Sequence, residues 1–295
     1  MTNKQKFLNY TRTFHPLDIS KLIKIPAKYE NLLEQVNRLK SALDSFRPLS
    51  PIVVKNLTEV YAVKFTYNSN AIEGSTLTER ETALVLEKGL TIGGKPLRDH
   101  LEAQGHQKAI EWIRNIAKQP DRPISEKDIL ELHRIVFYKV DEIWAGKYRT
   151  VDVQIAGTNK IFPSFFDVPE LMSQFISWLN SLEAHQLPTV ERAAEAHYRL
   201  VDIHPFVDGN GRVTRLLMNL ILLGHGFPIA VITNEKRSDY LSFLEQADQK
   251  NFLPFKKLIF EAVRNSLCDY LNIVAPAETE KNKGSDFYEY IMQYL

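Results

Sequence analysis

The stretch Thr189-Val-Glu-Arg-Ala-Ala-Glu-Ala-His197-Tyr-Arg-Leu-Val-Asp-Ile203-His204-Pro205-Phe-Val-Asp208-Gly209-Asn210-Gly211-Arg212-Val213-Thr214-Arg215-Leu-Leu-Met-Asn-Leu-Ile-Leu-Leu223-Gly224 decides the architecture. Val190, Ala193, His197, Leu200 and Val201 share one helical face, so a helix runs up to Ile203. Pro205 disfavours helical geometry at His204 and stops it there. A second apolar helix follows from Val213 to Leu223 and closes at Gly224. Two helices joined by a glycine-rich, charged loop are the centre from which the rest is read.

Outward from that centre the helical period continues. Leu32, Leu33, Val36, Leu39 and Leu43 make one stripe, and Ile129, Leu130, Leu132, Ile135 and Val136 another. Thr78 before Glu79-Arg80-Glu81 is a capping-box pattern for a helix ending at Gly89. Asp167-Val168-Pro169-Glu170 opens a helix carrying Leu171, Phe175, Ile176, Trp178 and Leu179. One segment departs. From Tyr148 to Phe162 the residues Val151, Val153 and Ile155 alternate with polar ones, and Gly157-Thr158-Asn159 supplies turn chemistry, so a short β-hairpin is expected. Ala275 to Gly284 reads as a polar linker, and Ser285 to Leu295 as the start of a further helix, the stub of an appended module.

Composition bounds the function classes. The 295 residues are 44% hydrophobic and 25% charged, ordinary for a soluble globular chain. With 37 basic and 36 acidic residues the net charge is +1, which gives no support for nucleic-acid binding. A single cysteine, Cys268, excludes an internal disulfide and suits a reducing compartment. The opening residues lead into no signal-peptide core, and no apolar run has membrane-spanning length, so a cytoplasmic location without membrane partners is expected.

The loop carries the chemistry. A glycine-rich loop entering a helix turns free backbone N–H groups toward an anion at the positive end of the helix dipole. Arg212 and Arg215 are three residues apart, so both project toward the same anion, and guanidinium forks match phosphate. Asp208 would repel a bare polyphosphate but suits a bridging Mg²⁺. His204, at the end of the preceding helix, is placed to take a proton near that phosphate. A hairpin turn at Asp-Gly or Asn-Gly conflicts with the helix-periodic flanks. An EF-hand loop fails because Arg212 and Val213 stand where it needs an oxygen ligand and a glycine. A plain interhelical connector is the remaining bland alternative.

The run His-Pro-Phe-Val-Asp-Gly-Asn-Gly-Arg-Val-Thr-Arg, His204 to Arg215, resembles the complete signature of the Fic domain, a family of nucleotide-dependent protein modifiers. The likeness extends over about residues 125 to 265, through Leu130-Glu131-Leu132-His133, Gly146-Lys147-Tyr148-Arg149 and Arg192 to His197. It implies an all-α, Fic-type helical core with a small β-hairpin flap and an N-terminal helical extension. The expected division is residues 1–115 as N-terminal helical region, 125–265 as Fic core and 266–295 as C-terminal helix, linker and stub. The implied reaction moves AMP from ATP, with Mg²⁺, onto a Ser, Thr or Tyr hydroxyl of a target protein. In that reading His204 is the general base, and Asp208 holds Mg²⁺ across the α- and β-phosphates. Gly209, Asn210 and Gly211 form the anion hole; Arg212 binds phosphates and Arg215 the γ-phosphate, with Val213 and Thr214 completing the loop. The flap, including Ile155, Ala156, Gly157 and Thr158, docks the target and covers the nucleotide, while Tyr240 and Asp248 meet the adenosine end.

Ser69-Asn-Ala-Ile-Glu73-Gly74 fits the inhibitory pattern of the same family. Ser69 and Glu73 lie one helical turn apart and share a face. Gly74 would end that helix and leave the Glu73 carboxylate at its negative end, where a cation would relieve it. The resemblance assigns that cation to Arg215, so Glu73 would block the γ-phosphate pose. Inhibited members are often homodimers, which makes a second copy an expected partner. Two rival readings stay open: a hydrolase that removes AMP through the same site, with Glu73 placing water, and a nucleotide-sensing regulator. His133 and His197 are expected in the core or behind the site, and Trp144 and Tyr148 at the hairpin base.

Overall fold

The structure, a computed structural model, describes residues 2–13, 18–154, 160–278 and 283–294. Among the described residues the regular elements are α-helices and one 3-10 turn, Asn234–Lys236, with no strand. The helices are α1 (Asn3–Thr13), α2 (Ile19–Leu22), α3 (Tyr29–Asp44), α4 (Pro51–Ile72), α5 (Glu79–Lys88), α6 (Leu97–Ile116) and α7 (Glu126–Phe137). They continue as α8 (Val168–Leu179), α9 (Leu182–Gln186), α10 (Thr189–Ile203), α11 (Asn210–Gly224), α12 (Arg237–Asp248), α13 (Leu253–Ala277) and α14 (Ser285–Ile291). The chain belongs to the all-α class.

It divides into two compact units: Met1–Tyr61 with Phe227–Ala230 and Lys257–Leu295, and Ala62–Gly226 with Val231–Lys256. The second unit contains both the glycine-rich loop and the Ser69 to Gly74 motif. Its centre is α11, whose residues Val213, Leu216, Leu217, Met218 and Leu222 are wholly buried, packed against α10, α6 and α7. A helix apolar on every side is stable only when other helices surround it. Local signals set the ends of its neighbours. The Thr78 hydroxyl accepts from Glu81 N–H and the Glu81 carboxylate accepts from Thr78 N–H, and α5 stops at Gly89 with φ 64°. Ser125 and Asp128 make the same reciprocal pair at the start of α7.

In the first unit, Phe7, Phe46, Phe287 and Tyr288 cluster ring against ring, which docks α14 onto α1 and α3. The expected stub is therefore, over Ser285–Ile291, a packed helix. The expected linker at Ala275 to Gly284 is corrected at its start: α13 continues to Ala277, and the buried Glu278 carboxylate accepts from Ser50 N–H at 2.8 Å. Residues 279–282 lie outside the described residues.

The expected hairpin is also corrected where it can be seen. Residues 148–154 and 160–162 carry no strand. Val151 is exposed, so alternation here marks no buried face. The buried Arg149 guanidinium instead takes the carbonyls of Val151 at 3.1 Å and Pro163 at 2.5 Å. Ile155, Ala156, Gly157 and Thr158 lie outside the described residues.

Candidate functional site

Helix α10 ends on His204, whose backbone is left-handed (φ 53°, ψ 56°) and whose N–H closes on Leu200 O. Few non-glycine residues adopt this conformation, and it ends the helix at this residue. His204 Nδ1 lies 3.3 Å from Val201 O. A carbonyl can only accept, so Nδ1 carries the proton and Nε2 keeps its lone pair. Phe162 packs on the ring at 4.0 Å. Burial is the main cause that brings the imidazole pKa down to about 4. At neutral pH His204 is thus an uncharged acceptor with a fixed tautomer.

The turn after it is held from outside. Arg149 Nε donates to His204 O at 2.9 Å and Arg149 N–H to Pro205 O at 2.9 Å. Asn210 holds it from inside: its side-chain amide accepts from Phe206 N–H and donates to Phe206 O, both at 2.9 Å. That side chain is spent on folding the loop, which leaves the backbone N–H of Asn210 for the expected anion hole. His133 braces the far side. Gly146 N–H donates to His133 Nδ1 at 2.9 Å, so Nε2 bears the proton and donates to Asp208 O at 3.1 Å. The ring stacks on Phe206 at 3.8 Å, and burial is the main cause that brings its pKa down to about 4.

Helix α11 begins three residues earlier than its apolar run implied, with Gly209 as its cap at φ 82°. A Cβ there would meet the Phe137 ring at 2.3 Å, so glycine is required twice over. The first-turn N–H groups of Asn210, Gly211 and Arg212 have no acceptor within the helix. Val213 and Thr214 point into the core, and the Thr214 hydroxyl bonds Asn210 O at 2.6 Å.

The charged groups around this helix start are already matched to one another. Arg215, 1% exposed, has its Nε on Ser69 Oγ at 3.0 Å and one terminal nitrogen on Ser69 O at 2.8 Å and Glu73 Oε1 at 2.7 Å. Its other terminal nitrogen reaches Tyr240 Oη at 3.5 Å. Burial opposes the Arg215 charge, and Glu73 and Tyr240 outweigh it, leaving the pKa raised. Glu73 reaches this position because α4 ends at Ile72 and Gly74 turns the chain at φ 100°. The Ile72 carbonyl is taken by Arg237 Nε at 2.7 Å. Glu73 Oε1 rests against Gly211, where a Cβ would come within 2.2 Å.

Asp208 is half-exposed. Its Oδ1 accepts from Gly209 N–H at 2.5 Å and lies 3.2 Å from Arg212, while Oδ2 lies 2.5 Å from Arg98 on α6. Burial raises its pKa, and Arg212, Gly209 N–H and Arg98 outweigh that and hold it below the ordinary carboxylate value. Arg212 is buried, 2.8 Å from Glu102 and over the Phe137 ring at 4.9 Å. Among the described residues no three His, Cys, Asp or Glu side chains gather to hold a metal. One hard carboxylate suits Mg²⁺, which completes its shell with water and phosphate oxygens.

The remaining expected residues sit further off. Tyr240 is buried, its hydroxyl shared between Arg215 and His197 Nε2 at 3.2 Å, so it reaches the loop through Arg215. Asp248 is tied to Lys160 and to the Tyr198 hydroxyl at 3.1 Å. Arg98, Glu102, Arg149 and Lys160 were not foreseen. The i,i+4 pair Arg98 and Glu102 was a visible signal, but it reads equally well as a solvated helix face.

Residues 123–222 match the Fic/DOC family model. The protein adenylyltransferase Fic of Drosophila grimshawi is 36% identical over 273 residues, covering 92% of this chain and 53% of that protein. Its Drosophila melanogaster counterpart is 38% identical over 242 residues, 82% of this chain and 48% of that one. The chain spans about half the length of these curated relatives. A Fic-domain-containing signaling protein from Bacteroides thetaiotaomicron superposes with a TM-score of 0.77 at 33% identity, covering 82% of this chain and 97% of that one. Fic-1 (residues 134–508) of C. elegans superposes with a TM-score of 0.76 at 31% identity, covering 84% and 74%.

Proposed function

This chain belongs to the Fic family, and from that membership we propose that it is an auto-inhibited protein adenylyltransferase. The substrate is ATP and the acceptor a Ser, Thr or Tyr hydroxyl on a protein. The observation that carries the reading is the fixed tautomer of His204, a neutral imidazole with a free Nε2 lone pair beside a helix start flanked by Arg212 and Arg215. Binding alone needs no such base.

In the forward step the acceptor oxygen attacks the α-phosphorus, its proton passes to His204 Nε2, and the bond to the β-phosphate oxygen breaks. Pyrophosphate leaves, and AMP stays on the acceptor. The amides at the start of α11 hold phosphate oxygens, and Arg212 adds positive charge behind them. Asp208 is the residue that would hold Mg²⁺, which neutralises charge on the leaving phosphates when bound. Glu73 acts as the brake: while its carboxylate holds Arg215, that guanidinium is withheld from the γ-phosphate.

The test is intact-mass spectrometry after incubation with ATP and Mg²⁺. Glu73→Gly should gain adenylyl groups on itself or on added lysate proteins faster than the natural chain. His204→Ala in the same background should lose about 10²- to 10⁴-fold in rate, the usual worth of a positioned base. Transfer that survives loss of His204 would overturn the assignment. Faster loss of AMP from a pre-modified target with the natural chain than with Glu73→Gly would favour the hydrolytic reading.

A further inference from the structure

Four side chains at the mouth of the loop close a ring of alternating charge. Asp208 meets Arg98 at 2.5 Å, Arg98 meets Glu102 at 2.8 Å, Glu102 meets Arg212 at 2.8 Å, and Arg212 returns to Asp208 at 3.2 Å. Two members are fixed. Glu102 and Arg212 are buried, and the Phe137 ring backs the Arg212 guanidinium. The other two face water, with side-chain exposures of 55% for Arg98 and 48% for Asp208.

The two oxygens of Asp208 are not equivalent. Oδ1 is committed to Gly209 N–H and Arg212, both parts of the helix start. Oδ2 carries the Arg98 guanidinium, which arrives from a separate helix 110 residues earlier in the sequence. A divalent cation on Oδ2 would be repelled by a guanidinium at contact distance and would compete with it for the negative charge of that oxygen.

We propose that Arg98 is an internal cation that competes with the divalent metal for Asp208 and so sets the metal affinity of the site. This rests on the reading of Asp208 as the metal ligand given above. Arg98 suits the part because it is the exchangeable cation of the ring. Its head is half in water, so leaving Oδ2 costs little, as for other exposed ion pairs. Its Nε bond to Glu102 keeps it beside the site after it has moved. Arg212 could not substitute, since its guanidinium is buried against Glu102 and the Phe137 ring and has no water to move into. The arrangement parallels that at Arg215, with opposite sign: Glu73 stands where a substrate anion would, and Arg98 where a metal would.

The test measures Mn²⁺ binding by electron paramagnetic resonance of the free ion, with a non-hydrolysable ATP analogue at saturation. The natural chain, Arg98→Gln, Arg98→Lys and Asp208→Ala are compared, each checked for an unchanged thermal transition. Asp208→Ala should lose the site. Arg98→Gln should bind Mn²⁺ about three- to ten-fold more tightly, through loss of both an exposed ion pair and a nearby positive charge. Arg98→Lys should fall between it and the natural chain, and the metal concentration giving half-maximal self-modification should drop in the same order. Unchanged or weaker Mn²⁺ binding by Arg98→Gln, with the site lost in Asp208→Ala, overturns the proposal alone. Equal Mn²⁺ binding by Asp208→Ala overturns the metal reading of Asp208, and the proposal with it.

Discussion

Adding one methyl group at Gly211 tests whether Glu73 is held where the geometry puts it. A Cβ at that position would lie 2.2 Å from Glu73 Oε1 and 3.2 Å from its Cδ, so the carboxylate must withdraw. Withdrawal breaks the 2.7 Å pair with Arg215. Two charges about 4 Å apart at an effective dielectric of 20 attract by about 4 kcal/mol. Glu73, a third exposed, regains hydration as it leaves, and Arg215 keeps Ser69 and Tyr240, which reduces the loss to about 1–3 kcal/mol. Gly211 has an ordinary helical φ, and alanine there offsets the loss by about 0.5 kcal/mol through helix propensity. In a Glu73→Ala background no carboxylate is displaced, so the same methyl group should be neutral or slightly stabilising. The 3.0 Å approach of the Cβ to Arg215 is common to both backgrounds and cancels. Urea unfolding of the natural chain, both single variants and the double variant gives the coupling directly, with an expected value of about 1–3 kcal/mol. Equal cost of Gly211→Ala in the two backgrounds would refute the placement of Glu73 against the loop.

Other consequences follow from the same geometry. His133 and His204 stay neutral in the fold, each with a pKa of about 4, while the unfolded chain takes up protons near 6.5. The unfolded state therefore binds more protons between those values, and stability should fall as pH drops from about 6.5 toward 4, by on the order of 2 kcal/mol per imidazole. Urea midpoints at pH 7, 5.5 and 4.5 check this, and a flat profile would contradict it. Asn210→Ala strips both Phe206 backbone groups of their partner and should cost about 2–4 kcal/mol in urea unfolding. Arg149→Met keeps the bulk but frees the His204 and Pro205 turn. It should lower the transfer rate at saturating ATP more than it raises KM for ATP, and the opposite pattern would place Arg149 in nucleotide binding.

How much was legible followed the range of the signal. Helix ends at Thr78, Gly89, Asp167 and Ile203 are written by residues within one turn of them, and the structure reproduces each. The contact between Glu73 and Arg215 spans 142 residues, yet the resemblance to the Fic family pairs the two motifs, so the pair could be named in advance. Arg98 and Asp208 are also far apart, and nothing local singles out which of 37 basic side chains will meet that carboxylate. The side-chain role of Asn210 went unread for a different reason. Its position in the loop suits an anion, but its amide is short enough to bond its own backbone four residues back, and that local bond wins. Alternation at Val151 and Val153 misled because a period of two marks a strand only when one face is buried, and Val151 is not.

The left-handed backbone at His204 has a cost that glycine would not carry. An L-residue in that region gives up on the order of 1 kcal/mol relative to glycine, which occupies it freely. His204→Gly relieves that strain but loses the Phe162 contact and the Val201 bond, so it should melt within a few degrees of the natural chain, with its transfer activity gone. Thermostability selection applied to this chain without an activity screen would place no premium on keeping the imidazole. A variant library scored on both properties would find position 204 among the places where the two rankings part most sharply.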